Sequence, residues 1–230
     1  MEMFRCVPKY EILQTRASEK KIKYALCYQY FMILIIDNGS QYTHLIMRNC
    51  RDLGRESLIV NNSASYERSV KPIEKRVENI ILSGGPGSVY AGNNGLSEVI
   101  VRKVLAKELR KPLLGICYGH QLIGYISGAK VAKGIRAEYG VSEISVDDSD
   151  LLFMDVPRHF NAWVSHFDEV KGAPKGFVAL AHSDTCAIEA MRHKELEVFG
   201  VQFHPEVWHT ENGERILSNF LGDHNALEEL

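Results

Sequence analysis

Three short segments of this 230-residue chain carry side chains whose types and spacing suit nucleophilic chemistry. In PLLGICYGHQ, Pro112 to Gln121, Cys117 has glycines two residues before and two after it. This is the spacing of a nucleophile elbow, where a sharp strand-to-helix turn exposes the reacting atom and small neighbours relieve backbone crowding. A helix starting just after Cys117 would aim its amino-terminal dipole and free amides at the sulfur, which favours thiolate. The competing reading is a buried cysteine packed as a small hydrophobe.

The second segment, VFGVQFHPEV, puts His204, Pro205 and Glu206 at the end of a predicted strand. Proline pushes the residue before it into an extended conformation, and residues i and i+2 of an extended chain share a side, so His204 and Glu206 can converge. A carboxylate beside an imidazole fixes its tautomer and steadies its cation, the third-group role in a triad. For an isolated HPE tripeptide, a histidine near an unrelated surface glutamate is the simpler reading. The third segment, ILSGGPGS from Ile81 to Ser88, ends a buried strand in a glycine-rich turn that can offer N–H groups to a developing oxyanion. Taken alone it reads more readily as a tight structural turn, and no GK[ST] follows to make it a phosphate loop. An elbow and an HPE in one chain make purely structural readings of both hard to sustain.

The elements that must position these residues are legible from periodicity. From Met32 onward short apolar runs alternate with amphipathic segments, the pattern of an α/β fold: an open, mostly parallel sheet with helices on both faces. Strands are expected at Met32 to Asp37, Ser57 to Val60, Val77 to Ser83, Pro112 to Ile116 and Glu197 to Phe203. Tyr42, Leu45, Ile46, Cys50 and Leu53 recur at helical spacing before Gly54, and Val101, Val104, Leu105 and Leu109 do so before Pro112. A last helix is expected over Glu214 to Leu221. After Gly128, alternating stretches such as Val141 to Val146 and Gly176 to Ala181 predict a small antiparallel extension. The domain is expected over 32–222, with an N-terminal extension at 1–31 that could be a start-site artefact and a C-terminal tail at 223–230.

Composition narrows the function. With 27 basic against 29 acidic residues there is no electrostatic footprint for nucleic acid or an anionic membrane. No apolar run approaches the roughly 20 residues that span a bilayer. Five scattered cysteines, never in CxxC pairs, argue against a disulfide framework or zinc site and fit a reducing cytoplasm. No metal ligand set is expected.

SGGPGS, GICYGHQ and QFHPE together resemble the class I (triad) glutamine amidotransferases over nearly all of Met32 to Leu221. The resemblance implies their flavodoxin-like fold, Cys117 as nucleophile, His204 as general base and acid, and Glu206 as its orienter. It further implies the Gly85 and Tyr118 amides as oxyanion hole, and glutamine held by Gln121, Ser165, His166 and Phe167. Within the family, DNGSQYTHLIMRNCRDLG, AWVSHFDEV and HPEVWHTENGERILSNF are similar to the GMP synthase branch, although Asn38 and Trp208 stand where phenylalanine and threonine are frequent there. That branch implies that the partner is a separate ATP pyrophosphatase subunit, the arrangement of the archaeal two-subunit form. ATP and magnesium would bind on that partner, with no cofactor in this chain. His166 and Asp168, in VSHFDEV, are candidates for coupling to the partner's state, or else polar residues of a surface turn. Competing readings are an amidotransferase subunit with another ammonia acceptor, a γ-glutamyl hydrolase or cysteine peptidase, and a catalytically silent interaction module.

Overall fold

The first strand, β1 (Met32–Asp37), shows how the layers arise: its side chains alternate between two separate apolar cores. Ile33 and Ile35 face one, Leu34 and Ile36 the other, as the two-residue period of a strand buried on both faces requires. The structure, a computed structural model, describes residues 31–149 and 151–222. The expected N-terminal extension, apart from Phe31, and the C-terminal tail lie outside the described residues.

Helices α1 (Thr43–Asp52) and α4 (Gly213–Leu221) cover the first face through Ile46, Cys50, Ile216 and Leu217. Helices α2 (Gly95–Leu105) and α3 (Tyr118–Ile126) cover the second through Ile100, Val101, Leu122 and Ile123. Gly54 adopts φ +72° just beyond α1, the left-handed stop expected there. The second helix ends earlier than its apolar spacing suggests. Lys107 takes φ +61° and turns the chain, so Leu109 is buried from the loop after α2.

Among the described residues nine strands form one sheet in the order β2-β1-β3-β4-β9-β8-β7-β5-β6. The parallel half joins β2 (Ser57–Asn61), β1, β3 (Val77–Leu82), β4 (Leu113–Ile116) and β9 (Val198–Val201). The antiparallel extension holds four strands: β8 (Ala190–His193), β7 (Phe177–His182), β5 (Val131–Val146) and β6 (His159–Val170). β5 and β6 pair along most of their length, with a register shift between Lys133 and Glu138. VSHFDEV therefore belongs to β6 and is no surface turn. Four parallel strands, β1, β3, β4 and β9, release their carboxyl ends into the segments that carry Asn38, SGGPGS, Cys117 and His204. Such an edge is where open α/β sheets place their sites.

Candidate active site

Cys117 sits between β4 and α3 at φ +50°, ψ −102°, a left-handed conformation that costs a non-glycine residue on the order of 1–3 kcal/mol. It is held there by its amide, which donates to the Val201 carbonyl at 2.8 Å, and by its carbonyl, which accepts from Gln121 N–H at 3.0 Å. The flanking glycines are sterically required. A Cβ on Gly115 would lie 2.4 Å from the Gly119 carbonyl, and one on Gly119 would lie 2.7 Å from the Leu82 carbonyl oxygen. The thiol is buried, with the Ser165 carbonyl 3.9 Å from Sγ. Tyr118 opens α3, so its amide has no acceptor within the helix.

His204 follows β9, and its Nδ1 lies 2.9 Å from Glu206 Oε1 with both side chains almost wholly buried. Burial opposes a charged imidazole here, but the Glu206 charge and hydrogen bonding to the Cys117 sulfur outweigh it and raise His204 well above its ordinary pKa. The chain around the histidine is fixed on several sides. Its N–H donates to the Trp163 carbonyl at 2.9 Å, and its carbonyl accepts the Thr210 hydroxyl at 2.7 Å. That hydroxyl also accepts from Trp163 N–H at 2.9 Å, and the Tyr42 ring packs edge-on against the imidazole at 5.0 Å. The HTENG segment is thus a structural brace, in which Thr210 locks the turn that presents His204.

The SGGPGS turn closes the third side. A Cβ on Gly84 would lie 3.0 Å from His204 Cε1 and 3.6 Å from Cys117 Cβ, so its backbone touches both. Asn38 braces this turn. Its N–H donates to Ser83 Oγ at 2.9 Å, its side-chain amide donates to the Ser83 carbonyl at 2.8 Å, and its Oδ1 accepts from Ser97 Oγ at 2.7 Å. From across the cavity, the Asp168 carboxylate accepts hydrogen bonds from the Ser88 hydroxyl and, at 3.1 Å, from Tyr90 OH. Asp168 is itself buried and ties β6 to the glycine turn.

Between these groups lies a cavity of about 550 Å³ that reaches Cys117, His204, Gly85, Gln121, Ser165, His166, Phe167 and Asp168. The structure thus brings the sequence-predicted residues around one opening, with Tyr118 behind Cys117 and Glu206 behind His204. Two of them are differently engaged than expected. Gln121 Nε2 donates to the Asp168 carbonyl at 2.6 Å and to Gln202 Oε1 at 3.1 Å. Both ring nitrogens of His166 face protein atoms, Nδ1 the Asp168 carbonyl at 3.2 Å and Nε2 Glu138 Oε2 at 3.2 Å. Side chains that the sequence reading passed over include Asn38, Ser88, Tyr90, Thr210, Gln202, Glu138 and Glu189. The last is fully buried, which pushes its carboxyl up to about 7. Cys50 and Cys186 are also buried, and burial raises both thiols, Cys50 to about 12.

Residues 34–223 match the family model described as glutamine amidotransferase class-I. The chain belongs to that family. Its relatives include the glutamine-hydrolyzing GMP synthase subunit of Methanocaldococcus jannaschii, 47% identical over 189 residues that cover 82% of this chain and 95% of that one. The same-named protein of Pyrococcus abyssi is 48% identical over 191 residues, covering 82% and 96%. Among solved structures, a Thermoplasma acidophilum protein assigned to the same GMP synthase subunit superposes with a TM-score of 0.74 at 32% identity, covering 87% of this chain and 96% of that one. A Thermotoga maritima glutamine amidotransferase, at 20% identity and a TM-score of 0.67 over 87% and 85%, shares the fold. Among the described residues no helix is long and apolar enough to cross a membrane.

Proposed function

We propose that this amidotransferase is the glutaminase subunit of a two-subunit GMP synthase, hydrolysing L-glutamine to glutamate and ammonia. The observation that carries the chemistry is the buried His204–Glu206 pair at 2.9 Å beside a strained elbow cysteine that helps hold the imidazole charged. The Cys117 thiolate attacks the substrate carboxamide carbon, and the new oxyanion is received by the backbone amides of Gly85 and Tyr118. His204 gives its proton to the departing nitrogen, leaving a glutamyl thioester and ammonia. Water, deprotonated by the same imidazole, then cleaves the thioester, while Glu206 holds the ring's tautomer and its positive form. Gln121, Ser165, His166 and Phe167 form the wall against which the glutamine lies; His166 acts through position, since both its nitrogens are engaged.

Ammonia passes to an ATP pyrophosphatase subunit that binds ATP and magnesium and converts XMP to GMP. No cofactor is assigned to this chain. The mouth of the cavity suits such a partner: Tyr139 and Phe167 line it and are exposed, and Ile135, in the irregular stretch of β5, is 93% exposed. Exposed apolar groups beside a site mark a docking face. Asp168, which ties β6 to the glycine turn, is the group through which docking reaches the oxyanion amides.

Glutamate release by the purified chain, alone and with an ATP pyrophosphatase partner, ATP, magnesium and XMP, tests this reading. Partner-dependent release with GMP formation is expected, and Cys117→Ala should abolish glutamine use while sparing ammonia use by the pair. Glutamine turnover that persists in Cys117→Ala would refute the nucleophile. Release that never yields GMP would refute the acceptor.

A further inference from the structure

Behind the cavity wall, the antiparallel half brings His166, whose ring also lines the cavity, together with two carboxylates that the glutaminase chemistry does not use. Glu138 lies on β5, His166 on β6, and Glu189 immediately before β8, and one potential ligand atom from each lies within 4.8 Å of the other two. The hydrogen bonding fixes what these atoms can do. His166 Nδ1 faces the Asp168 carbonyl oxygen at 3.2 Å, and a carbonyl only accepts, so Nδ1 carries a proton and Nε2 is the nitrogen turned toward the cluster, a metal ligand whenever it is deprotonated. Nε2 stands 3.2 Å from Glu138 Oε2, where either a proton or a metal ion can join the two. Neither oxygen of the fully buried Glu189 receives a hydrogen bond of ordinary geometry from any described residue, although the nearby Ser183 hydroxyl favours its charged form. Acceptors gathered at one buried point call for a positive charge among them.

We propose that Glu138, His166 and Glu189 form a binding site for a divalent transition-metal ion, Zn²⁺ by preference. One imidazole nitrogen with two carboxylate oxygens is a borderline donor set that suits such an ion better than Mg²⁺ or Ca²⁺, which want more ligands and oxygen alone. Zinc bonds of about 2.0–2.2 Å put tetrahedral ligands roughly 3.4 Å apart. The His166–Glu138 pair already stands at 3.2 Å, so Glu189 alone has to close in.

The surroundings support the assignment. Glu138 Oε1 is held from outside by the Thr185 hydroxyl and, at 3.4 Å, by Ser142 Oγ, which turns Oε2 inward, while the Asp168 carbonyl orients the imidazole. Supports of this kind are what aim the ligands of a metal site. Two carboxylates balance a dication. A bound ion would join β5, β6 and β8 behind Ser165 and Asp168. It is a positioning element, and its existence does not depend on the acceptor of ammonia.

The test is metal content and affinity in full-length Cys117→Ala protein, in which the cavity cannot offer a thiolate, after EDTA treatment and titration with Zn²⁺, Co²⁺ and Mg²⁺. One Zn²⁺ per chain is expected, with a low-coordinate Co²⁺ visible spectrum free of sulfur charge transfer and no saturable Mg²⁺ binding. Adding Glu189→Gln should weaken Zn²⁺ at least tenfold with the circular dichroism unchanged. If that variant misfolds, Glu138→Gln, at the rim with its side chain 8% exposed, serves instead. Zinc binding lost in Cys117→Ala, or unchanged by both carboxamide variants, would overturn the proposal. So would the absence of saturable binding at millimolar Zn²⁺.

Discussion

Replacing Gly85 with alanine should remove most of the catalytic power and little of the fold. A Cβ there would lie 2.7 Å from the Asn38 carbonyl oxygen and 3.1 Å from Asn38 Cβ, where ordinary contacts begin at 3.4 Å. Asn38 cannot yield easily, because its side chain is tied to the Ser83 carbonyl and to Ser97. The glycine turn must therefore recede by about 0.7 Å, which is wider than the 2.7–3.1 Å window in which an oxyanion donor works. Loss of one such donor costs about 10²–10³ in kcat, roughly 2.7–4 kcal/mol. The assay is glutamate release at saturating glutamine by the chain with its synthetase partner. Ammonia-dependent GMP formation and the rate of Cys117 alkylation serve as internal controls and should stay near wild type. A kcat within about threefold of wild type, with the protein folded, would refute the assignment of the Gly85 amide to the oxyanion.

Glu206→Gln should lower kcat by about 10²–10⁴, since general acid–base work and the imidazole tautomer both depend on that carboxylate. The raised pKa of His204 fixes a pH signature for stability as well. The group's contribution is present in full below its unfolded value of about 6.5 and is lost as pH rises through the higher folded value, so Glu206→Gln should depress Tm most at acid pH and least in alkali. A Tm difference that grows with pH would contradict the ion-pair account. Asp168→Asn should cut kcat about tenfold, because one of the two hydroxyl bonds loses a charged acceptor worth roughly 1.5–3 kcal/mol. In a double-mutant cycle Ser88→Ala should then cost little more; fully additive losses would show that the two residues act separately.

The candidate site was legible in the sequence because it is built from local signals. The elbow shows as glycines around Cys117, and the base with its partner are two residues apart across a proline. The parallel strands and their helices follow from unbroken apolar runs and helical spacing, with errors only at ends such as Leu109, where Lys107 turns the chain before the apolar pattern stops. What could not be read is long-range. Glu138 and His166 come from β5 and β6 and Glu189 from the residue before β8, and one at a time they look like ordinary polar positions. Asp168 sits in a segment that reads as a surface turn until β5 pairs with β6 and carries its carboxylate across to Ser88 and Tyr90. Asn38 reads as a mere departure from phenylalanine, yet its amide and Oδ1 brace the glycine turn.

The place of β9 in the sheet bears on how the protein comes into being. The last strand of the chain inserts at the middle, between β4 and β8, and carries His204 to a cysteine whose elbow was synthesised long before. Pairings this distant in sequence form late, after the loop-closure cost has been met. A growing chain can thus pair β1 to β4 while Cys117 still lacks both the Val201 carbonyl that holds its amide and the imidazole of His204. The site is therefore assembled only once β9 has inserted, and a chain that has not yet emerged that far lacks the Cys117–His204 pair.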